Sequence, residues 1–116
     1  MLKQLIIKEA VDGVINLSTL GEIATVIIPP VQEPWAGPND DADVYIGENK
    51  EYLGVVRPVL PEIGGELKIP KSILLKYSGN IKIPFHYSVF PGGGGNDFPA
   101  EVAFYSIVLA VNTRRK

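Results

Sequence analysis

Cysteine is absent from the 116 residues, which excludes disulfides and thiolate metal sites. Positive charge is scarce as well, because 11 basic residues stand against 13 acidic ones and leave a net charge of −2. Nucleic-acid binding needs a concentrated positive footprint, so DNA and RNA are not expected as partners. The one basic cluster, Arg114 to Lys116, is expected to lie in a solvated tail at residues 113–116.

Long apolar runs are missing too, since no stretch approaches the roughly 20 apolar residues of a membrane span. The apolar part of the N-terminal stretch is too short for a signal peptide, and it lacks a cleavage site before the first acidic residues. We therefore expect neither a membrane span nor a signal peptide in this chain. Residues 1–8 are interpreted as a lead-in or an edge strand.

Signatures of catalysis are also lacking, and no Gly-x-Ser-x-Gly elbow is present. His86, the single histidine, shares the polar face of its strand with Ser88. A hydrolase would also need a carboxylate and oxyanion donors that converge on them. The glycines at 92–95 lack the Gly-Lys-Ser/Thr ending of a phosphate loop and are expected to form a hairpin tip. The sequence predicts a protein without enzymatic activity and without a cofactor.

The clearest pattern present is an alternation of apolar and polar residues from Asn80 to Phe90. The apolar positions are Ile81, Ile83, Phe85, Tyr87 and Val89. Because successive side chains of a strand point to opposite faces, this period of two predicts a half-buried strand. Pro84 interrupts the polar face, and we expect a bulge or an unpaired side there, since proline cannot donate to a ladder.

Similar segments recur along the whole chain. Other strands are predicted at Glu22–Ile28, Asp43–Gly47, Tyr52–Arg57, Glu66–Ile69 and Val102–Asn112, and one short helix at Lys71–Tyr77. Turn signals separate these segments at a spacing of roughly ten residues, which is typical of an antiparallel β-sandwich. The sequence therefore predicts one all-β domain, residues 1–116, with about seven strands.

Several stretches have a familiar order. Lys8–Gly21, which reads K-E-A-V-D-G-V-I-N-L-S-T-L-G, precedes a strand that closes on Pro29–Pro30 and a loop that bears the tryptophan. L-K-I-P at Leu67–Pro70 and I-K-I-P-F-H-Y-S-V at Ile81–Val89 come before the glycine-rich loop and a last strand. This order resembles the immunoglobulin-like modules found in tandem in large adhesin-like or surface-associated proteins of Pseudomonas and related proteobacteria.

The resemblance implies an immunoglobulin-like sandwich with Greek-key connections, which acts as a spacer or displays its loops. Such a structural or adhesive module would contact neighbouring domains or a protein partner. It would work outside the cell or on its surface as part of a larger exported protein. The resemblance supplies no site residues.

Two sets of residues are candidates for ligand binding. Asp40, Asp41 and Asp43 could offer oxygen ligands to Ca²⁺, although acidic loops of sandwiches are commonly just solvated. Trp35, with Tyr45 and Tyr52, could form an aromatic platform for a sugar ring or an anchor at a protein interface. The alternative for Trp35 is that it covers one end of the sandwich.

Two other functions stay open at this point. The first is a carbohydrate-binding module that uses Trp35 and the nearby tyrosines. The second is a small self-assembling protein, because uncovered sheet edges invite pairing with another chain. The sequence does not determine the oligomeric state. Tyr77, just before the main strand, is expected to form a tyrosine corner with its hydroxyl bonded to nearby backbone.

Overall fold

The computed structural model describes residues 2–92 and 94–109, and these residues form nine strands and one short helix. The basic cluster Arg114 to Lys116 lies outside the described residues. The strands are β1 (Ile6–Ile7), β2 (Val14–Asn16), β3 (Ile23–Ile28), β4 (Asp41–Ile46), β5 (Glu51–Val56), β6 (Gly65–Pro70), β7 (Asn80–Phe90), β8 (Phe98–Pro99) and β9 (Ala103–Val108), and the helix is α1 (Lys71–Leu75).

The strands form two sheets, which confirms the prediction of an all-β sandwich. One sheet has the order β1-β3-β6, and the other has the order β2-β9-β7-β4-β5 with β8 added beside β7. The chain changes sheets at five connections: β1 to β2, β2 to β3, β3 to β4, β5 to β6, and β6 to β7. The result matches the immunoglobulin arrangement, in which strands B and E share one sheet and strands C, F and G share the other.

One strand pair departs from the predicted antiparallel arrangement. β2 runs parallel to β9, with Val14 beside Ser106 and Asn16 beside Val108. The chain reaches this position because it leaves the three-stranded sheet after β1 and turns at Asp12 and Gly13, both of which have positive φ. Alternation of residue types predicts that a strand exists but not the direction of its neighbour, so the sequence analysis could not detect a parallel pair.

The core lies between the two sheets and is supplied by alternate residues of each. On β4 the inward side chains are Ala42, Val44 and Ile46, none of which is exposed at all. Phe85 and Val89 lie beside them on the neighbouring strand β7, on the same face of the sheet, and Tyr87 adds a buried ring. The strand β7 thus buries four of the five apolar positions that its alternation predicted, but Ile81 near its start is 72% exposed. It joins β4 on one side and β9 on the other.

Pro84 lies opposite Gly47, just beyond the ladder between β4 and β7. Gly47 donates its N–H to the Pro84 carbonyl over 2.8 Å, but Pro84 has no N–H to return to the Gly47 carbonyl. His86 replaces that donor, because its Nε2 lies 3.2 Å from the Gly47 oxygen. In the pairing with β9 the register shifts between Asn80 and Ile83, whereas Pro84 is in register with Phe104, so the bulge lies before the proline and not at it.

The other elements follow their predictions with shifted ends. β4 begins at Asp41, two residues before the predicted start, so Asp41 and Asp43 lie in the strand and not in a loop. The helix ends at Leu75 instead of Tyr77. β9 runs from Ala103 to Val108, and residues 110–112 of the predicted strand lie outside the described part of the chain. Phe104 on β9 is 56% exposed, so one face of this strand is open to solvent.

Candidate functional site

One end of the sandwich carries the β3–β4 loop and the glycine-rich loop that follows β7, and the carboxylate of Asp40 holds them together. One Asp40 oxygen accepts the Gly37 N–H over 2.9 Å within the β3–β4 loop. The other accepts the Gly92 N–H over 3.1 Å from the loop that follows β7. Asp40 is only 3% exposed, so both bonds are shielded from water and each is strengthened by the charge of the acceptor.

Close backbone contact at the same place explains one of the glycines in the glycine-rich loop. A Cβ on Gly92 would lie 2.7 Å from the Asn39 carbonyl oxygen and 2.7 Å from the Asn39 Cβ. Only a residue without a side chain permits this approach. Asp40 and Gly92 together therefore fix the relative position of the two loops at this end.

Near the hydrogen bonds by which Asp40 joins the two loops, Trp35 and Phe98 stack on each other. Their ring centroids are 4.2 Å apart and the rings are inclined by 10°, which is a nearly parallel arrangement. Both rings are half-buried and pack against the core. A shallow cavity next to them is completed by Leu2, Glu33 and Pro99. This group of five residues, Leu2, Glu33, Trp35, Phe98 and Pro99, is called the Trp35 patch below.

The N-terminal segment belongs to the Trp35 patch because backbone bonds hold it there. Leu2 bridges to Ala100 in parallel, and the Glu101 N–H donates to the Leu2 carbonyl over 3.0 Å. The Tyr87 hydroxyl donates to the Lys3 carbonyl. Burial raises the pKa of Tyr87 to about 12, so this hydroxyl remains a donor throughout the physiological range.

Tyr45 and Tyr52, the other two predicted aromatics, lie elsewhere. They are paired across β4 and β5 on the outer face of the six-stranded sheet, with ring centroids 5.5 Å apart and an interplanar angle of 59°. The Tyr52 hydroxyl donates to Asp43 over 2.9 Å, and this bond raises the pKa of Tyr52. The structure thus divides the predicted platform into two tyrosines on a strand pair and a tryptophan that stacks on Phe98.

The three candidate calcium ligands have separate partners. Asp40 binds the two loop amides, Asp41 pairs with Arg57 over 3.1 Å, and Asp43 accepts from Tyr52. Within residues 2–92 and 94–109, no group of three or more His, Asp or Glu side chains is placed to hold a metal ion. Calcium binding at these aspartates stays a prediction for a calcium titration to examine.

Tyr77 does not form the expected corner with backbone. Its hydroxyl donates to the Glu51 carboxylate over 2.6 Å, and Lys76 reaches the other oxygen of the same group over 2.5 Å. The bond from Lys76, followed by that from Tyr77, lowers the pKa of Glu51. Burial, followed by the bond to Glu51, raises the pKa of Tyr77 to about 12. This cluster ties the β4–β5 hairpin to the turn after α1.

The sequence analysis missed Phe98 as a member of the site, and it missed the role of Asp40 in joining the two loops. Phe98 follows the glycine-rich loop, and an aromatic residue after such a loop was the only available signal. The role of Asp40 had no signal at all, because its partners Gly37 and Gly92 offer backbone N–H groups that every non-proline residue has.

Comparisons with known proteins show no family for this chain. No family model matches it, and no curated protein matches it. Among solved structures, it is similar to the adhesin domain of Epf from Streptococcus pyogenes, with 11% identity and a TM-score of 0.48. The match covers 97% of this chain but 34% of that one, so the chain spans about a third of its length. At this identity and TM-score the likeness carries no argument about function.

A search for membrane-spanning helices gave none in the described part of the chain, where no helix has both the length and the apolar character required.

Proposed function

We propose that this chain is a non-enzymatic adhesive module of a bacterial surface protein, and that it contacts a protein partner through the Trp35 patch. The observation that carries the proposal is the Trp35–Phe98 stack beside two loops that Asp40 holds in place. The resemblance of the sequence to repeated immunoglobulin-like modules supports the same function. Neighbouring copies would then act as spacers that hold the patch away from the cell.

The composition of the Trp35 patch favours a protein as the partner. Trp35, Phe98, Leu2 and Pro99 supply apolar surface, and Glu33 supplies a charge beside it. An apolar centre with a polar rim is the usual anatomy of a protein interface, and tryptophan is enriched among the residues that dominate binding energy. A sugar platform needs an open aromatic face, whereas Phe98 covers one face of the Trp35 ring.

The rigidity of the site also supports this assignment. Loops that are already held in one arrangement lose little conformational entropy on binding, so more of the contact energy appears as affinity. Asp40 and Gly92 provide that arrangement before any partner arrives.

The experiment that tests the proposal is binding of the purified domain to an array of extracellular matrix proteins and, in parallel, to an array of oligosaccharides. We expect binding to at least one protein spot, and we expect Trp35→Ala and Glu33→Lys each to reduce it at least tenfold. Tyr52→Ala serves as the matched control, because it removes an exposed aromatic ring from a different face. Melting curves show whether each variant is folded.

Other results would contradict the proposal in different ways. Binding to saccharides alone, with quenching of the fluorescence of the single tryptophan, would favour the carbohydrate-binding alternative. Protein binding that Tyr52→Ala removes and Trp35→Ala spares would move the site to the outer face of the six-stranded sheet.

A further inference from the structure

The strand β6 forms the outer edge of the three-stranded sheet and is paired, in the described part of the chain, with β3 alone. The Lys71 N–H donates to the Glu22 carbonyl over 2.9 Å at the end of this ladder. Hydrogen-bonded and non-bonded pairs alternate in an antiparallel ladder, so Ile69, Leu67 and Gly65 direct their backbone groups to β3. The N–H and C=O groups of Glu66 and Lys68 therefore face outward.

The outward edge is short and has sharp limits at both ends. On one side, the N–H and C=O of Gly64 are already bonded to Leu60, over 2.7 and 3.0 Å. On the other side, Pro70 has no N–H. Glu66 and Lys68 are thus the two residues of β6 that offer both a donor and an acceptor, four backbone groups in all. Their side chains are 57% and 63% exposed, so more than half of each side-chain surface is open to solvent.

We propose that β6 is a self-pairing edge, at which two copies of this chain join antiparallel about a two-fold axis through Leu67. In this register Glu66 of one copy lies directly opposite Lys68 of the second copy. The two-fold axis also sets Lys68 of the first copy opposite Glu66 of the second. All four outward backbone groups of each copy are then bonded, which gives four hydrogen bonds. The two three-stranded sheets become one continuous sheet.

The charges of Glu66 and Lys68 favour this register over the two adjacent registers. A two-fold axis through Glu66 would set two carboxylates opposite each other and leave fewer backbone groups bonded. A two-fold axis through Lys68 would set two ammonium groups opposite each other. Like charges directly opposite are unfavourable, whereas opposite charges at such positions stabilise a strand pair. Within one copy, Lys68 and Glu66 are 3.9 Å apart on an exposed surface, a pair of little value by itself.

The other sheet edges are less suited to pairing. β1 has two residues, and next to it the Glu9 carboxylate accepts the Thr25 N–H over 2.8 Å, which occupies the edge of β3. β2 has three residues. β5 is longer, but its pairing with β4 shifts register between Val44 and Tyr45, and such irregularities discourage further strands.

The test uses charge variants at β6 and measures the molecular mass by sedimentation over a concentration range from micromolar to millimolar. We expect a weak dimer, because an interface of this size belongs to the transient class. Glu66→Lys or Lys68→Glu should each weaken association about tenfold, since each leaves like charges opposite one another across the axis. The exchange of both, Glu66→Lys with Lys68→Glu, should restore it, and so should mixing the two single variants.

The control is Glu62→Lys, which makes the same change of net charge at an exposed position in the preceding loop. It should leave the dissociation constant within about twofold of the parent value, because Glu62 lies off the paired edge. A constant monomer mass up to millimolar concentration would overturn the proposal. So would a dimer that the double exchange fails to restore. Neither outcome affects the Trp35 patch, whose variants are read by binding and not by mass.

Discussion

Two side chains, those of Asp40 and His86, form hydrogen bonds with backbone groups that fix the local structure around them. Asp40 accepts two loop amides while almost fully buried, and His86 bonds a carbonyl that lacks its usual donor. Removing one member of a buried hydrogen bond leaves the other unsatisfied, which costs more than the bond itself contributed. Both residues are therefore points at which a small change has a large and specific effect.

Asp40→Ala is expected to lower the free energy of unfolding by about 3 kcal/mol, because it leaves the Gly37 and Gly92 amides without an acceptor. Urea unfolding followed by tryptophan fluorescence measures the change, since Trp35 lies at the same end. Asp97→Ala is the matched control, because Asp97 is an exposed carboxylate on the same loops. Equal losses of unfolding free energy in the two variants would show that the Asp40 carboxylate does not stabilise the fold by joining the two loops.

His86→Ala is expected to lower the free energy of unfolding by about 1–2 kcal/mol, because the buried Gly47 carbonyl loses its donor. The matched control is Ser88→Ala, two residues along the same face, with an expected change within about 0.5 kcal/mol.

The sharper check on His86 is a double-mutant cycle with Pro84→Ala, which restores a backbone N–H opposite Gly47. In the Pro84→Ala background, His86→Ala should cost clearly less than in the parent chain. The same cost in both backgrounds, measured by urea unfolding, would mean that the imidazole does not replace the missing donor.

At the scale of elements, the fold depends on where strands can approach each other. The turn before β6 brings Gly64 against the end of β3, so that a Cβ there would lie 1.9 Å from the Ile28 carbonyl oxygen. Gly64 also has φ +74°, in the left-handed region. The turn before β2 contains Gly13 with nearly the same angle, φ +77°, but with open space around it.

This pair of glycines permits a controlled comparison. Gly13→Ala should cost about 1 kcal/mol, the ordinary penalty for a side chain at positive φ. Gly64→Ala should cost about 3 kcal/mol or more, because the backbone of β3 must also move. Thermal and urea unfolding of both variants measure the difference. Similar losses would indicate that conformation alone, and not the contact with Ile28, makes glycine necessary at position 64.

For the whole molecule, we expect the parallel pair of β2 and β9 to determine how the fold resists force. Asp12 precedes β2 and Leu109 follows β9, so they lie at opposite ends of this pair. Pulling them apart slides the two strands along each other and loads their hydrogen bonds together. Ser18 and Leu109 lie at the same end, where the Leu17 N–H donates to the Val108 carbonyl over 2.8 Å. Pulling there opens the bonds one at a time.

Force spectroscopy with attachment through introduced cysteines can test this, since the chain has none of its own. Attachment at residues 12 and 109 should give a clearly higher unfolding force than attachment at residues 18 and 109. High resistance in the first direction would suit a spacer that bears load between a surface and its target. Equal forces in the two directions would show that the parallel pair is not the element that resists extension.

Much of the secondary structure was predictable because its causes are local. The alternation from Asn80 to Phe90 predicted β7 to its bounds, since solvent and core act on alternate residues of any half-buried strand. Pro29 and Pro30 marked the end of β3 for an equally local reason, the lack of a backbone donor. The missing backbone donor at Pro84 was predicted as an unpaired side of the strand. The hydrogen bond of His86 to the Gly47 carbonyl was not predicted, because the sequence does not show that Gly47 lies opposite Pro84.

The candidate site was predictable only in part. Trp35 was identified as a residue at the end of the sandwich, and Tyr45 and Tyr52 do lie together. Their separation from Trp35 was not visible, because residues of nearby sequence can lie on different surfaces once a loop leads into a strand. Phe98, which lies 63 positions from Trp35, became its neighbour only when β8 was placed beside β7.

By itself, the sequence determined that the chain forms β-strands, where most of them lie, and that they bury one face in a sandwich. Those properties follow from the order of apolar, polar and turn residues along short segments. The tertiary structure decided which strands are neighbours, that β2 runs parallel to β9, and that Asp40 joins two loops. These depend on contacts between distant segments, and such contacts are selected by the packing of the whole chain and not by any local pattern.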